Sequence, residues 1–253
     1  SHMPGNLTYQ AYHLIWSSLD WLFPPECGGG CGKKGLRWCS DCYTECHAIG
    51  NRCCEMCGDI TVEFGVCQRC QEARPSYTQA RSLAIFKGPV RNLVHRLKYK
   101  NDMCLGDALA QPMIHDIQRN GWNIDMLIPV PLSLARMAER GYNQAALIAF
   151  PIAAGLRVPY HPKALRKVKD TRSQVGLAYE ARKVNLLDAF EANAAQVDGK
   201  RVLVIDDVTT SGSTLNECAG VLKAAGAREV YGYTFARAAH NKLAANAEEP
   251  PAL

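Results

Sequence analysis

The sequence predicts an α/β domain built on a mostly parallel sheet, with a small cysteine-rich module ahead of it. Three observations carry this. Ten of the twelve cysteines fall between Cys27 and Cys70. From about Ser82 onward, apolar runs alternate between short strand-like and longer helix-like segments. One strand-like run ends in two aspartates followed by a turn rich in hydroxyls. A chain of 253 residues has room for one ordinary core plus an appended module, and 47% apolar with 21% charged residues is ordinary soluble globular composition.

Taken in order, Ser1 and His2 have the look of a tag remnant ahead of Met3. Leu14–Phe23 is apolar but interrupted by Ser17, Ser18 and Asp20. It reads as an amphipathic helix in an N-terminal helical segment 4–26, too short for a membrane span of ~20 apolar residues and unlike a signal sequence.

The module 27–74 holds the pairs Cys27/Cys31, Cys39/Cys42, Cys54/Cys57 and Cys67/Cys70, with Cys46 and Cys53 left over. Thiolates two or three residues apart converge on one tetrahedral ion, and two such pairs complete a structural zinc site. The simplest pairing gives two sites, Cys27/Cys31/Cys39/Cys42 and Cys54/Cys57/Cys67/Cys70. Interleaved pairing and a single occupied site also satisfy the spacing, so one or two zinc ions are expected. Gly32 and Gly58 follow the second cysteine of their pairs, where a knuckle favours positive φ. Gly30-Cys31-Gly32-Lys33-Lys34-Gly35 matches a dinucleotide-binding pattern, but within a cysteine knuckle it lacks the strand and helix that give the pattern meaning.

In the second domain, 80–238, Leu83–Phe86 reads as a strand, and Val90, Leu93, Val94 and Leu97 recur at helical spacing. Leu105–Ile117 continues helically through Pro112. Asp125–Val130 reads as a buried strand. Leu134–Ala154 reads as one helix kinked at Pro151, and Arg201–Ile205 as a strand. Leu215, Cys218, Ala219 and Leu222 form the core face of a helix ended by Gly226, and Glu229–Ala236 closes the sheet. Residues 239–253 read as a disordered tail.

The strongest signal runs from Val202 to Thr214. A hydrophobic strand delivers Asp206 and Asp207 at its C-terminal end, where α/β sheets bind ligands. The turn that follows carries Thr209, Thr210, Ser211, Gly212, Ser213 and Thr214, and its amides with the next helix N-terminus form an anion cradle. Paired carboxylates can accept hydrogen bonds from the vicinal hydroxyls of a ribose, and the turn can hold its 5-phosphate. This order of acid and phosphate site suits phosphoribosyl pyrophosphate (PRPP).

These thirteen residues match the PRPP motif position by position, so the sequence resembles the type I phosphoribosyltransferases. It resembles more narrowly the ComF/ComFC family of amidophosphoribosyltransferase-like competence proteins. That likeness covers roughly residues 20–237. It rests on Phe23-Pro24-Pro25, the cysteine pairs, Leu97-Lys98-Tyr99 and Ile128-Pro129-Val130-Pro131-Leu132. Arg136, Arg140-Gly141-Tyr142-Asn143-Gln144, Thr171 with Gln174, and Arg182 with Asn185 add to it. Two features depart from the family pattern: the Cys27–Cys31 spacing, and Thr209-Thr210-Ser211-Gly212 where Thr-Thr-Gly is commoner.

The resemblance implies a type I phosphoribosyltransferase fold with an N-terminal zinc-ribbon module of four-cysteine sites. Asp206 and Asp207 would bind the ribose, and residues 209–214 its phosphate. Pro129, Val130 and Pro131 would form a turn whose backbone donors face pyrophosphate, which Arg136 and Arg140, four apart on one helical face, would grip. Arg172, Gln174 and Arg182 would belong to a closing flap. Mg²⁺ would accompany PRPP. The resemblance also implies a cytoplasmic protein handling single-stranded DNA in natural transformation, with a helicase of DNA uptake as a further partner and any place at the inner membrane reached through partners. The basic cluster containing Arg96, Lys98 and Lys100 is the candidate DNA contact, with Trp38 and Tyr99 as stacking platforms. No acceptor for group transfer is identified, and Thr210 stands where base-specific transferases often carry an acid. A working phosphoribosyltransferase on an unidentified acceptor and a PRPP-sensing regulator both remain open.

Overall fold

The structure is a computed structural model that describes Leu14 and residues 24–50, 52–61, 65–169 and 189–238. Of the N-terminal segment, Leu14 is helical and exposed. Residues 24–26 are not helical, Glu26 bridging to Lys34 instead; the other residues of 4–26 and the tail 239–253 lie outside the described residues.

The elements of the α/β domain begin with β1 (Gln79–Ile85), α3 (Gly88–Tyr99) and α4 (Leu105–Arg119), after two short helices in the cysteine-rich part, α1 (Ser40–Thr44) and α2 (Gln68–Glu72). Then come β2 (Met126–Pro129), α5 (Leu134–Arg140), α6 (Gln144–Leu156), β3 (Leu165–Lys167), β4 (Phe190–Ala192), α7 (Ala194–Val197), β5 (Arg201–Thr209), α8 (Ser213–Ala224) and β6 (Glu229–Arg237). Four strands form one sheet in the order β1-β6-β5-β2, every pair parallel. β3 and β4 form a separate antiparallel pair on either side of residues 170–188.

Strand alternation sorts the core into two layers. Leu203 and Ile205 of β5 pack with α3, α4 and α6, whereas Val202 and Val204 pack with Leu215, Cys218, Ala219 and Leu222 of α8. At the opposite end of β5 from its aspartates, the Arg201 guanidinium forks onto Asp125 at 2.7 and 3.0 Å, and the Arg201 amide adds a third bond at 2.8 Å. These bonds hold the Asp125 carboxyl well below the usual carboxylate range and fasten β2 to β5.

The structure corrects two expectations in ways that bear on the site. The expected helix 134–154 is two helices, and the break falls at Gly141, not at Pro151. Gly141 takes the left-handed conformation (φ 76°) that ends α5. Asn143 then caps α6, its side chain accepting from the Ala145 and Ala146 amides. Secondly, the strand expected to stop at Ile205 continues to Thr209, because β6 is long enough to pair with it: Asp206 faces Thr234 and Thr209 faces Arg237 in register. The aspartates therefore lie within the sheet.

Pro151 lies inside α6, and the adjoining helix approaches closely there. Lacking an N–H, Pro151 cannot serve the Leu147 carbonyl. Gly106 of α4 packs against that carbonyl so tightly that an added Cβ would lie 2.6 Å from the Leu147 oxygen. Gly106→Ala is expected to push α4 off α6 and destabilise the fold by about 1–3 kcal/mol, read as a lower midpoint of urea unfolding.

Candidate functional site

Two sites are assembled from the residues singled out in the sequence, and they meet at one edge of the sheet. The cysteine clusters form the first. The Sγ atoms of Cys27, Cys31, Cys39 and Cys42 lie within 4.8 Å of one another, as do those of Cys54, Cys57, Cys67 and Cys70. The pairing is thus sequential, not interleaved. A tetrahedron with Zn–S near 2.3 Å has edges of about 3.8 Å; Cys57 and Cys67 stand 3.8 Å apart, and Cys31 and Cys39 3.5 Å. Knuckle amides point at sulfur, Cys39 N at Cys27 Sγ (3.4 Å) and Cys67 N at Cys54 Sγ (3.3 Å). The Cys42 amide beside Cys39 draws that thiol down to about 7. Burial acts to raise Cys54, but the amides of Cys67, Cys57 and Met56 outweigh it and bring it down to about 7 as well. Both clusters therefore fit a thiophilic ion such as zinc, which would supply the cross-link that so small a core lacks. Cys46 and Cys53 stand apart; the Cys46 thiol bonds the Cys42 carbonyl at 3.1 Å, and burial pushes it up to about 12.

The second cluster is docked on the sheet by charge and by backbone. Ala80 N of β1 donates to Met56 O (2.7 Å), and Arg81 Nη1 to Glu55 O (3.0 Å). At Gly58 (φ 68°) a Cβ would lie 2.6 Å from the Ala80 carbonyl, so the knuckle can sit this close only with glycine. Arg69 Nη2 reaches Cys57 Sγ (3.6 Å) and Asp59 (3.4 Å). The buried Arg237, last residue of β6, donates to the Cys57 carbonyl and lies 3.8 Å from Asp59. Four thiolates around a divalent ion leave two negative charges, and these guanidinium groups offset them.

The second site lies at the C-terminal edge of the sheet, where β5 runs into the Thr210–Gly212 turn. By alternation Asp207 continues the Leu203–Ile205 face toward α3, where Lys98 Nζ meets its Oδ2 at 3.1 Å. Asp206 continues the other face. Burial first, and the Asp207 charge second, push the Asp206 carboxyl up to about 8, against the opposing pull of Lys98. Gly212, left-handed at φ 80°, caps α8. Ser211 and Ser213 hydroxyls lie 2.6 Å apart, holding the turn in shape. A cavity of about 220 Å³ is lined by Ser211, Gly212 and Ser213 together with Cys57, Cys70 and Arg69, so the turn and the second cysteine cluster border one space.

Beside Asp206, the register places Pro129 of β2 opposite Ile205. The expected backbone donors are scarce there: Pro129 and Pro131 have none, and the Val130 amide is engaged by Ile205 O (2.9 Å), its carbonyl by Asn143 (2.9 Å). Arg136 and Arg140 stand one turn apart on α5. Arg140 bonds Gln144 (3.0 Å) and lies 5.2 Å over the Tyr99 ring. Tyr142 bonds the Leu97 carbonyl at 2.5 Å, fastening the end of α5 to α3.

Of the expected DNA contacts, Lys98 is placed at Asp207 and Lys100 is exposed at the end of α3. Arg96 points the other way, to Asp102 (2.7 Å) and the Cys27 carbonyl (3.4 Å). Trp38 is half-buried, its ring edge-on to Tyr43 and Phe235 at 5.0 and 5.6 Å, which makes it a packing residue. Arg172, Gln174 and Arg182 lie outside the described residues. Sequence reasoning missed Arg69, Arg237 and the Lys98–Asp207 pair, since no local pattern marks a contact made across the sheet.

A phosphoribosyl transferase domain family model matches residues 111–249, more than half of the chain. The parallel sheet with its strand–acid–turn–helix edge therefore belongs to a phosphoribosyltransferase-type domain. The relatives narrow this. Competence protein F of Haemophilus influenzae is 31% identical over 214 residues, spanning 81% of this chain and 92% of that protein. DNA utilization protein YhgH of Escherichia coli K12 is 30% identical, spanning 73% and 83%. Competence protein ComFC of Bacillus subtilis is 26% identical, spanning 88% and 90%. The chain belongs to the ComF/ComFC family of competence proteins. Among the described residues, no helix is long and apolar enough to cross a membrane.

Zinc analysis of the purified chain is expected to give two ions per chain, falling to one in Cys67→Ser; a wild-type value near one would contradict two complete sites.

Proposed function

We propose that this chain binds PRPP at the β5–α8 edge and handles single-stranded DNA in the cytoplasm during natural transformation. The observation that carries the ligand reading is the direct run of Asp206 and Asp207 into a turn capped by left-handed Gly212 at the N-terminus of α8. In this reading Asp206 and Asp207 accept from the two ribose hydroxyls. The amides and hydroxyls of residues 209–214 hold the 5-phosphate, helped by the positive end of the helix dipole. Arg136 and Arg140 approach pyrophosphate oxygens, with Arg172, Gln174 and Arg182 as the flap. Mg²⁺ bound with PRPP would neutralise pyrophosphate charge. Residues 27–74 serve as the zinc module and 80–238 as the PRPP domain.

The DNA reading is supported by the names of the relatives, competence and DNA utilization proteins, and by the basic face of α3 that adjoins the carboxylates. A helicase of DNA uptake is the further partner this reading expects. Group transfer is not part of it, because Thr210 offers no acid or base to an acceptor at the turn.

Two outcomes follow. Asp206→Asn and Asp207→Asn should each weaken PRPP binding about 10- to 100-fold, the worth of a hydrogen bond to a charged group, read by titration calorimetry with circular dichroism to confirm folding. Undiminished affinity would remove the assignment. The second outcome concerns protons. With Asp206 held up to about 8, its protonated form dominates at neutral pH, while hydroxyl donation favours the carboxylate. PRPP binding should therefore release a proton and tighten between about pH 6 and pH 8. By the same sign, the folded chain binds a proton that the unfolded chain lacks from about pH 4 to about pH 8, so stability attributable to Asp206 falls as pH rises through that window.

A further inference from the structure

One face of α3 carries a groove that the PRPP reading leaves unused. It encloses about 390 Å³, and Phe86, Arg91, His95, Lys98 and Tyr99 are among its lining residues. Arg91, His95 and Lys98 stand at i, i+4 and i+7, one stripe of the helix. Among the described residues no carboxylate lines it, although Asp207 meets the Lys98 ammonium at its border, and exposed Lys87 and Lys100 flank the two ends of the helix. Tyr99 is 59% exposed although it is a large aromatic residue. Its ring is met by the His95 ring at 5.1 Å and by the Arg140 guanidinium at 5.2 Å. Arg96, one step out of the stripe, is held by Asp102 on another face.

An exposed aromatic pair in a concave surface whose charged lining residues, Arg91 and Lys98, are both basic has the two things a flexible polyanion with planar groups requires: π-faces for its bases and charge for its backbone. A duplex would satisfy the cations but hides its base faces within the stack. We propose that this groove is the base-stacking site for single-stranded DNA, seating a base against Tyr99 and His95 with backbone phosphates toward Arg91 and Lys100. Lys98 joins it to the PRPP site, because it lines the groove while its ammonium meets Asp207 at 3.1 Å. A strand held here has a nucleotide beside the carboxylates that bind the ribose. The proposal rests on the reading of the chain as a DNA-handling protein and names where on the chain the strand lies.

The test uses the full, zinc-loaded chain and fluorescein-labelled oligothymidylate, followed by anisotropy across a salt series. Tyr99→Ala and His95→Ala are each expected to weaken binding about tenfold, the order of one base–aromatic stack, while Tyr99→Phe keeps the affinity. Arg91→Met should lower the slope of log affinity against log salt by about one. His95→Ala should bind PRPP as the wild type does. If the wild type binds no oligonucleotide even at low salt, the DNA reading itself falls. If the wild type binds and both alanine variants bind equally well, the groove assignment falls and the DNA reading stands. Polyglutamate binding as tight as the oligonucleotide would mark a charge-only surface and also overturn it. Should Tyr99→Ala fail to fold, photo-crosslinking of an oligonucleotide carrying 5-iododeoxyuridine to the wild type decides: adducts within residues 86–100 support the site, and adducts confined elsewhere contradict it.

Discussion

The pairing of Thr209 with Arg237, at the shared end of two nine-residue parallel strands, is the constraint on which both sites depend. On one strand, Thr209 is the last residue before the turn that caps α8. On the other, Arg237 sends its guanidinium into the second cysteine cluster. A parallel ladder fixes which residues are opposite each other, and a slip by one residue would turn every side chain to the other face. The same register that aims Asp207 at Lys98 therefore also aims Arg237 at the Cys57 carbonyl. The second cysteine cluster and the turn ahead of α8 are held by adjoining residues of one ladder.

This gives the cysteine-rich module a role beyond its own folding. Arg237 is buried to 1% exposure, and a buried guanidinium needs compensating charge. Asp59 and the Cys57 carbonyl face it, and four thiolates around a divalent ion would add negative charge nearby. Loss of such an ion would disturb the Cys57 thiolate that Arg69 meets, beside a turn whose shape depends on Ser211, Gly212 and Ser213. The module and the α/β domain are in this sense a single electrostatic unit, although they are distinct in composition.

Much of this is legible along the chain because it rests on local chemistry. The cysteine spacings and the positive-φ glycines Gly32 and Gly58 suit the geometry of a metal knuckle, and the strand–acid–turn–helix run is a contiguous stretch of sequence that can be read without knowing the fold. The pattern reveals β1 only in its second half, because Gln79, Arg81 and Ser82 look like loop residues. They are polar because Arg81 serves the cysteine module and Ser82 bonds Thr234 at 2.7 Å. The break at Gly141 carries its own signal, a glycine two residues before an asparagine, but Pro151 is the more conspicuous helix breaker. Yet α6 runs through Pro151 to Leu156, with Gly106 of α4 packed against the Leu147 carbonyl that Pro151 cannot serve. Lys98, Arg69 and Arg237 cannot be placed from sequence at all. A basic residue in a helical run looks the same whether it meets solvent, a nucleic acid or a carboxylate brought to it by a distant strand.

The central claim is that the β5–α8 edge is a PRPP site. A crystal structure of the full chain grown with PRPP tests it most directly. The account predicts the ribose hydroxyls on Asp206 and Asp207 and the 5-phosphate enclosed by residues 209–214, with Lys98 drawn partly or wholly from Asp207. PRPP seated elsewhere, with that edge unchanged, would contradict it.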